Sequence, residues 1–390
     1  MQNQFLRGQR KSMKKLGIIT LHYIPNYGAV LQSYALKEVL QRFCNAEIID
    51  YRQDSREKNF SPEIYIKSAI KNKSIRSLVI LPIKLFKSRY NYGFRTVLKE
   101  FYKSKFNISN QIKKHELELL EKEYDGIIVG SDQVWNPKVL DGEYTLLLDF
   151  YNGKKYSYAS SIGVKELSEN ESAIYKNNLQ SFSCLSCREQ AGTDIINKMF
   201  GKNICRTVLD PTLLLTSEEW NVESSNRLYK SGYILVYMVK YDERILDIMT
   251  YLKESAGMDV ILITTPFVRA KLGSKGKGAL YKIKPEEWLE YFGKAGFVLT
   301  NSFHGISFSI NFNKQFYACF DEKSDPNGTN SRMENILDLF ELNERIISDA
   351  KQINFDKNID FGKVNALLAE ERKKSFDYIN LVIENYVRKT

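Results

Sequence analysis

A chain of 390 residues with 43% hydrophobic and 27% charged side chains can fill more than one core, which excludes disordered, fibrous and small disulfide-stapled classes and predicts two domains. Its net charge of +10 is uneven, since Phe60 to Phe106 carries eleven Lys or Arg against two Glu. The five cysteines, Cys44, Cys184, Cys187, Cys205 and Cys319, are odd in number and scattered, which suits a reducing compartment; the lone CxxC spacing at Cys184 and Cys187 has no second pair or nearby histidine to make a zinc or redox site.

In chain order, residues 1–15 are a basic N-terminal extension, followed by too short an apolar run for a signal peptide. No stretch reaches the roughly eighteen apolar residues of a membrane span, so a cytoplasmic protein is expected. "KLGIITL" predicts a buried strand, "HYIPNYG" a loop, "AVLQSYALKEVLQRF" a helix from its apolar spacing, and "AEIIDY" a second strand. Strand, helix and strand open a βαβ unit, so a parallel sheet with helices on both faces is expected. The basic segment 60–106 interleaves cations with apolar residues, which fits either a packed helix pair or a surface resting on anionic lipid; no nucleic-acid module accompanies the charge. "YDGIIVG" and "KKYSYASSIG" add strands.

A second series runs "GYILVYMV" strand, "DERILDIMTYLKESAG" helix, "MDVILIT" strand, "PEEWLEYFGKA" helix, "GFVLTN" strand, "HGISFSINFN" helix, "QFYACF" strand. The pattern predicts an α/β protein of two doubly wound, Rossmann-like domains facing a cleft: residues 16–215, a linker 216–231, residues 232–350, and a C-terminal helical segment 351–390 that can cross back to the first domain. Ligands of such sheets bind outside the carboxyl ends of the strands, which points at loops 22–28, 130–137, 158–163, 238–242 and 301–305.

In "GFVLTNSFHGISFSI" a strand ends at Thr300, and His304 and Gly305 open an apolar helix behind Asn301 and Ser302. A helix N-terminus holds phosphate, an imidazole there can move a proton, and Gly305 lets backbone come close to a ligand. His304 is the acid–base candidate among three histidines, set against a capping or core role. Arg188 and Arg332, at strand-to-loop transitions, suit carboxylate or phosphate. "LDPTLLL" reads as architectural. "GSDQVWNP" is either a sugar floor, with Trp135 stacking and Asp132 and Gln133 bonding hydroxyls, or a packed corner. Asn26, Tyr27, Gly28 and His22 are expected to line the same cleft.

Together "NYGAVLQSYAL", "GSDQVWNP", "SYASSIG", "CREQAG", "LDPTLLL", "NSFHGISFSI" and "SRMENIL" resemble, in order and spacing, the polysaccharide pyruvyl transferase family over residues 16–345. The resemblance implies a GT-B-like architecture and transfer of a pyruvyl group from phosphoenolpyruvate to two hydroxyls of a sugar, with no metal and no cofactor. The acceptor would be a free sugar, a nucleotide sugar or a lipid-linked oligosaccharide. It implies His304 as acid–base and Arg188 and Arg332 as anion clamps, with Asn301, Ser302, Gly305 and Lys240 on the donor side. Where many members carry Arg two residues before the histidine, this chain has Ser302, which leaves the clamp to Arg332, Lys240 or the helix N-terminus. The alternative is a GT-B glycosyltransferase with a nucleotide-sugar donor.

Overall fold

The computed structural model describes residues 15–53, 57, 66, 91–220, 232–256, 259–320 and 330–388. Most of the basic segment 60–106 and of the expected linker 216–231 lies outside them. Six strands, β1 (Lys15–Ile19), β2 (Asn45–Ile48), β3 (Gly126–Val129), β4 (Lys154–Ser157), β5 (Phe182–Cys187) and β6 (Cys205–Thr207), form a parallel sheet in the order β2-β1-β3-β4-β5-β6. Five more, β7 (Ile234–Met238), β8 (Val260–Thr264), β9 (Phe297–Thr300), β10 (Phe316–Cys319) and β11 (Ile346–Ile347), form a second parallel sheet in the order β11-β10-β9-β7-β8. Helices cover both faces of each sheet, so the central strands are continuous apolar runs without alternation: GIIV, ILVYM and FVLT are buried throughout. In each sheet the chain order reverses beside the first strand, at β1/β3 and at β7/β9.

The two sheets share one core. Tyr27, at the start of helix Tyr27–Gln41, donates its hydroxyl to the carbonyl of Ile283 (3.0 Å), accepts from the Ile283 amide (3.2 Å) and stacks on Trp288. Asn311 of the second domain donates to the carbonyls of Thr212 (3.0 Å) and Leu215 (2.9 Å). The long helix Phe361–Val387 crosses back: Tyr378 bonds Ser157 (2.7 Å) and Asn385 accepts from Tyr156 (3.0 Å), both on the first sheet. Midway, Arg372 donates to Leu213 (2.6 Å), Leu215 (3.2 Å) and the Asn311 side chain (2.9 Å). Replacing Arg372 by Met strands these acceptors, and we expect a stability loss of about 2–4 kcal/mol, read by thermal unfolding.

Within the basic segment, residues 91–105 form a helix that buries Phe94, Leu98 and Phe101, and Arg95 pairs with Glu57 (3.0 Å), so this part is a packed helix. Cys184 and Cys187 do not face each other; Cys187 Sγ lies 3.7 Å from that of Cys205 on the neighbouring strand.

Candidate active site

The loops after β5, β6 and β9 bring Arg188, Asp210 and His304 together. Arg188 follows β5 directly, and its Nη1 donates to Asp210 Oδ2 at 2.9 Å. The same oxygen accepts from the Ser131 hydroxyl (2.8 Å) and lies 3.8 Å from His304 Nε2. Asp210 Oδ1 caps the turn Pro211–Leu213, accepting from the Thr212 amide (3.0 Å) and hydroxyl (2.7 Å). Burial alone would push this carboxyl up, but the His304 imidazole, the Arg188 guanidinium and Thr212 hold it well below the usual carboxylate range. Asp210 is therefore a fixed anion wedged between two cationic or protonatable groups.

The pairing is incomplete. Arg188 is buried, its guanidinium lies over the Phe303 ring (4.1 Å to the centroid), and Nε and Nη2 have no hydrogen-bond partner; Asp132 and Glu189 approach only to 3.9 and 4.0 Å. His304 Nε2 is likewise buried without a hydrogen bond. Unmade bonds on buried donors are costly, so these three nitrogens are the unspent hydrogen-bonding capacity of the site. Next to them opens a cleft of about 610 Å³ lined by Arg188, Asp210, Phe303, Arg332, Glu371 and Lys374 among others. His304 is 6% exposed and is not part of that wall; it meets the cleft residues at Asp210.

Local sequence explains the placement of His304. Thr300 Oγ1 donates to the Tyr237 carbonyl (2.8 Å) and accepts from the Ser302 amide (3.1 Å), turning the chain from β9 into helix Phe303–Asn311. Asn301 was expected to touch the donor; its amide instead bonds the loop after β7 at both ends, accepting from Val239 (3.0 Å) and donating to Lys240 (2.7 Å). Gly305 is glycine because a Cβ would sit 2.2 Å from Thr300 Oγ1, so close packing, not ligand approach, fixes it. Ser302 is the N-cap residue and makes no side-chain cap bond. Lys240 is exposed and outside the residues lining the cleft. Arg332 stands in helix Ser331–Leu339, not at a strand-to-loop transition, and lines the cleft.

On the expected acceptor side three residues are corrected. Trp135 is 0% exposed, donates its indole N–H to Leu146 (2.9 Å) and meets Phe182 edge-on, so it plugs the domain corner and offers no face to a sugar. His22 is 0% exposed, with Nε2 3.1 Å from Asp50, inside a buried charge network with Arg52. Tyr27 is the interdomain strut described above. Asn26 caps the helix by accepting from the Gly28 amide (2.8 Å). Gly28 lies directly against His304: a Cβ there would fall 2.1 Å from Nδ1. Asp132 and Gln133 are half-buried at the carboxyl end of β3, and Asp132 adopts φ +76°, an uncommon left-handed conformation for a non-glycine residue.

Burial pushes the Asp50 carboxyl up, but hydrogen bonds and charge from His22 and Arg52 outweigh it and hold it down to about 2. A depressed carboxylate stabilises the fold above its unfolded value and loses that contribution as pH falls through the folded one. Asp50→Asn is thus expected to cost about 2 kcal/mol at pH 7, with the gap to wild type closing between about pH 4 and 2 in acid-unfolding curves.

Sequence reasoning missed Asp210, read as architectural, and did not foresee Phe303, Glu371 or Lys374. Asp210 follows β6 at the carboxyl edge of the sheet, and applying the strand-end rule to that loop would have flagged it.

The fold is that of UDP-GlcNAc 2-epimerase from Methanocaldococcus jannaschii, with TM-score 0.51 and 13% identity over 96% of this chain and 100% of that one. S. aureus MnaA in its UDP co-structure gives TM-score 0.51 and 11% identity over 97% and 99% of the two chains. These are GT-B proteins, and the likeness is one of fold. No curated protein matches the chain. The family model "polysaccharide pyruvyl transferase" matches residues 26–324.

Proposed function

Because the chain belongs to the polysaccharide pyruvyl transferase family and is a transferase, we propose that its cleft takes phosphoenolpyruvate and forms a pyruvate ketal on two hydroxyls of a sugar in a surface polysaccharide or its precursor. The observation that carries the reading is the set of buried, unpaired nitrogens on Arg188 and His304 beside a cleft that Arg332 also lines. Such a set suits a compact ligand with both a carboxylate and a phosphate.

The chemistry assigns a task to each group. His304 protonates the methylene carbon, and C2 gains positive character. One acceptor hydroxyl adds to C2 and loses its proton; the second displaces phosphate by breaking the C2–O bond. Two protons leave the hydroxyls, one is returned to the acid that protonated carbon, and one departs on phosphate. Arg188 and Arg332 stabilise the negative charge on the departing phosphate and hold the carboxylate. Asp132, at the end of β3 and 3.9 Å from Arg188 Nη2, is the residue we assign to accept from an acceptor hydroxyl. A lipid-linked acceptor would bring the protein to an anionic membrane, with residues 60–106 as one contact.

Calorimetric titration of phosphoenolpyruvate and of nucleotide sugars tests the donor. Saturable phosphoenolpyruvate binding that Arg188→Ala abolishes is expected. Binding of a nucleotide sugar alone, with no response to phosphoenolpyruvate when both are present, would replace this reading with glycosyl transfer.

A further inference from the structure

We propose that the second domain carries its own contact surface for an anionic membrane, formed by residues 265–284 beside helix 91–105. Within 265–284 there are six cationic residues, Arg269, Lys271, Lys275, Lys277, Lys282 and Lys284, and no Asp or Glu. All five lysines are exposed. They are ordered on the carboxyl side of β8 by helix Pro266–Leu272, capped by Thr265, and by the return of the chain to the sheet at Leu280, which bridges Ile263.

Contacts carry part of this charge, Lys282 and Lys284, across the domain boundary onto helix 91–105. Lys282 lies across Gly93 of helix 91–105, so close that a Cβ there would meet it at 2.8 Å. It also sits 5.2 Å from the Tyr281 ring, which Arg269 approaches at 6.0 Å. Lys284 reaches Glu100 of the same helix at 3.5 Å, and Lys275 reaches Glu243 at 3.3 Å. Both pairs are solvent-exposed and weak, and they neutralise only part of the six charges. Helix 91–105 itself exposes Lys99, Lys103 and Lys105. Two large aromatic side chains flank the patch, Tyr92 at 70% and Phe267 at 62% exposure.

An anionic bilayer suits this composition better than a nucleic acid or a folded protein. Lysine dominates over arginine, so the charge is diffuse and carries little planar, bidentate recognition. Protruding aromatic rings beside lysines match the interfacial zone, where a ring is half dissolved in acyl chain and ammonium groups meet headgroup phosphate. The surface also stands beside the active site, because Ile283 within it holds Tyr27, whose neighbour Gly28 touches His304. Docked in this way, the protein would open its interdomain junction toward acceptors at the lipid surface. This extends the membrane contact of the functional reading to a second element, and it is read by binding rather than by turnover, so failure of the donor assignment would leave the result intact.

The test is co-sedimentation of the full chain with phosphatidylcholine vesicles with or without phosphatidylglycerol. Binding only to the anionic vesicles is expected, falling by about tenfold or more in Lys275→Glu/Lys277→Glu/Lys282→Glu and in high salt. Lys202→Glu/Lys253→Glu, which changes exposed lysines outside this surface, should bind as wild type does. A Lys-to-Gln version of the triple variant, with an unchanged melting temperature, separates lost binding from lost folding. Tyr92→Ser/Phe267→Ser should weaken binding with the charge intact. If the triple Glu variant sediments as wild type does, or if the wild-type chain ignores both vesicles while binding a soluble polyanion such as heparin, the proposal fails.

Discussion

His304→Ala is expected to lower kcat by about three orders of magnitude while leaving phosphoenolpyruvate affinity within a few-fold of wild type. The imidazole supplies one of the three unpaired nitrogens and Arg188 the other two, so its removal takes away the proposed proton donor and the smaller share of the anion contacts. Rapid-quench turnover beside calorimetric titration separates the two quantities. A structural histidine would instead show both falling together with the melting temperature. Gly28→Ala attacks the same group from the other domain. Its methyl would stand 2.1 Å from His304 Nδ1, so either the ring or the start of helix Tyr27–Gln41 must move. Loss of kcat in Gly28→Ala with donor binding kept would show that a residue of the first domain sets the position of an acid carried by the second.

The fold was legible because its strands are buried on both faces and therefore read as apolar runs, and because each βα turn carries its own breaker. GIIV, ILVYM and FVLT could be placed from sequence alone, and the tandem series announced two parallel sheets. The edge strands were harder. β6 is only three residues long with an exposed arginine, and β11 only two, so neither makes a hydrophobic pattern. Candidates for the site could be named where residue type alone narrows the choice, as with a rare histidine after a strand or Arg188 directly after β5; Arg332, expected at a strand-to-loop transition, stands instead in the first turn of a helix. The site was not legible where a side chain serves either purpose. Trp135 beside polar residues fits a sugar platform and a corner equally well, and only its bond to Leu146 decides. Tyr27 and Asn301 have the chemistry of ligand groups but spend it on Ile283 and on the loop after β7. Asp210 was hidden for the opposite reason: an Asp-Pro turn is common scaffolding, and its partners are distant in sequence at 188 and 304.

Arg188→Ala should raise the phosphoenolpyruvate Kd by more than about a hundredfold and also cost about 3–5 kcal/mol of stability. The two losses have different origins. Binding fails because Nε and Nη2, the unpaired donors, are gone. Stability falls because Asp210, fully buried, keeps its charge but loses the guanidinium that donates to it at 2.9 Å. Asp210→Asn in the Arg188→Met background removes that stranded charge, while the amide oxygen can still accept from Thr212. The double variant is therefore expected to recover most of the lost stability, seen as a melting temperature near wild type, and none of the donor binding. Recovery of both would mean that Arg188 serves Asp210 alone and that the anion is held by Arg332 and its neighbours. Recovery of stability alone assigns the guanidinium two roles in one geometry, with Nη1 given to the protein and the remaining nitrogens kept for the ligand.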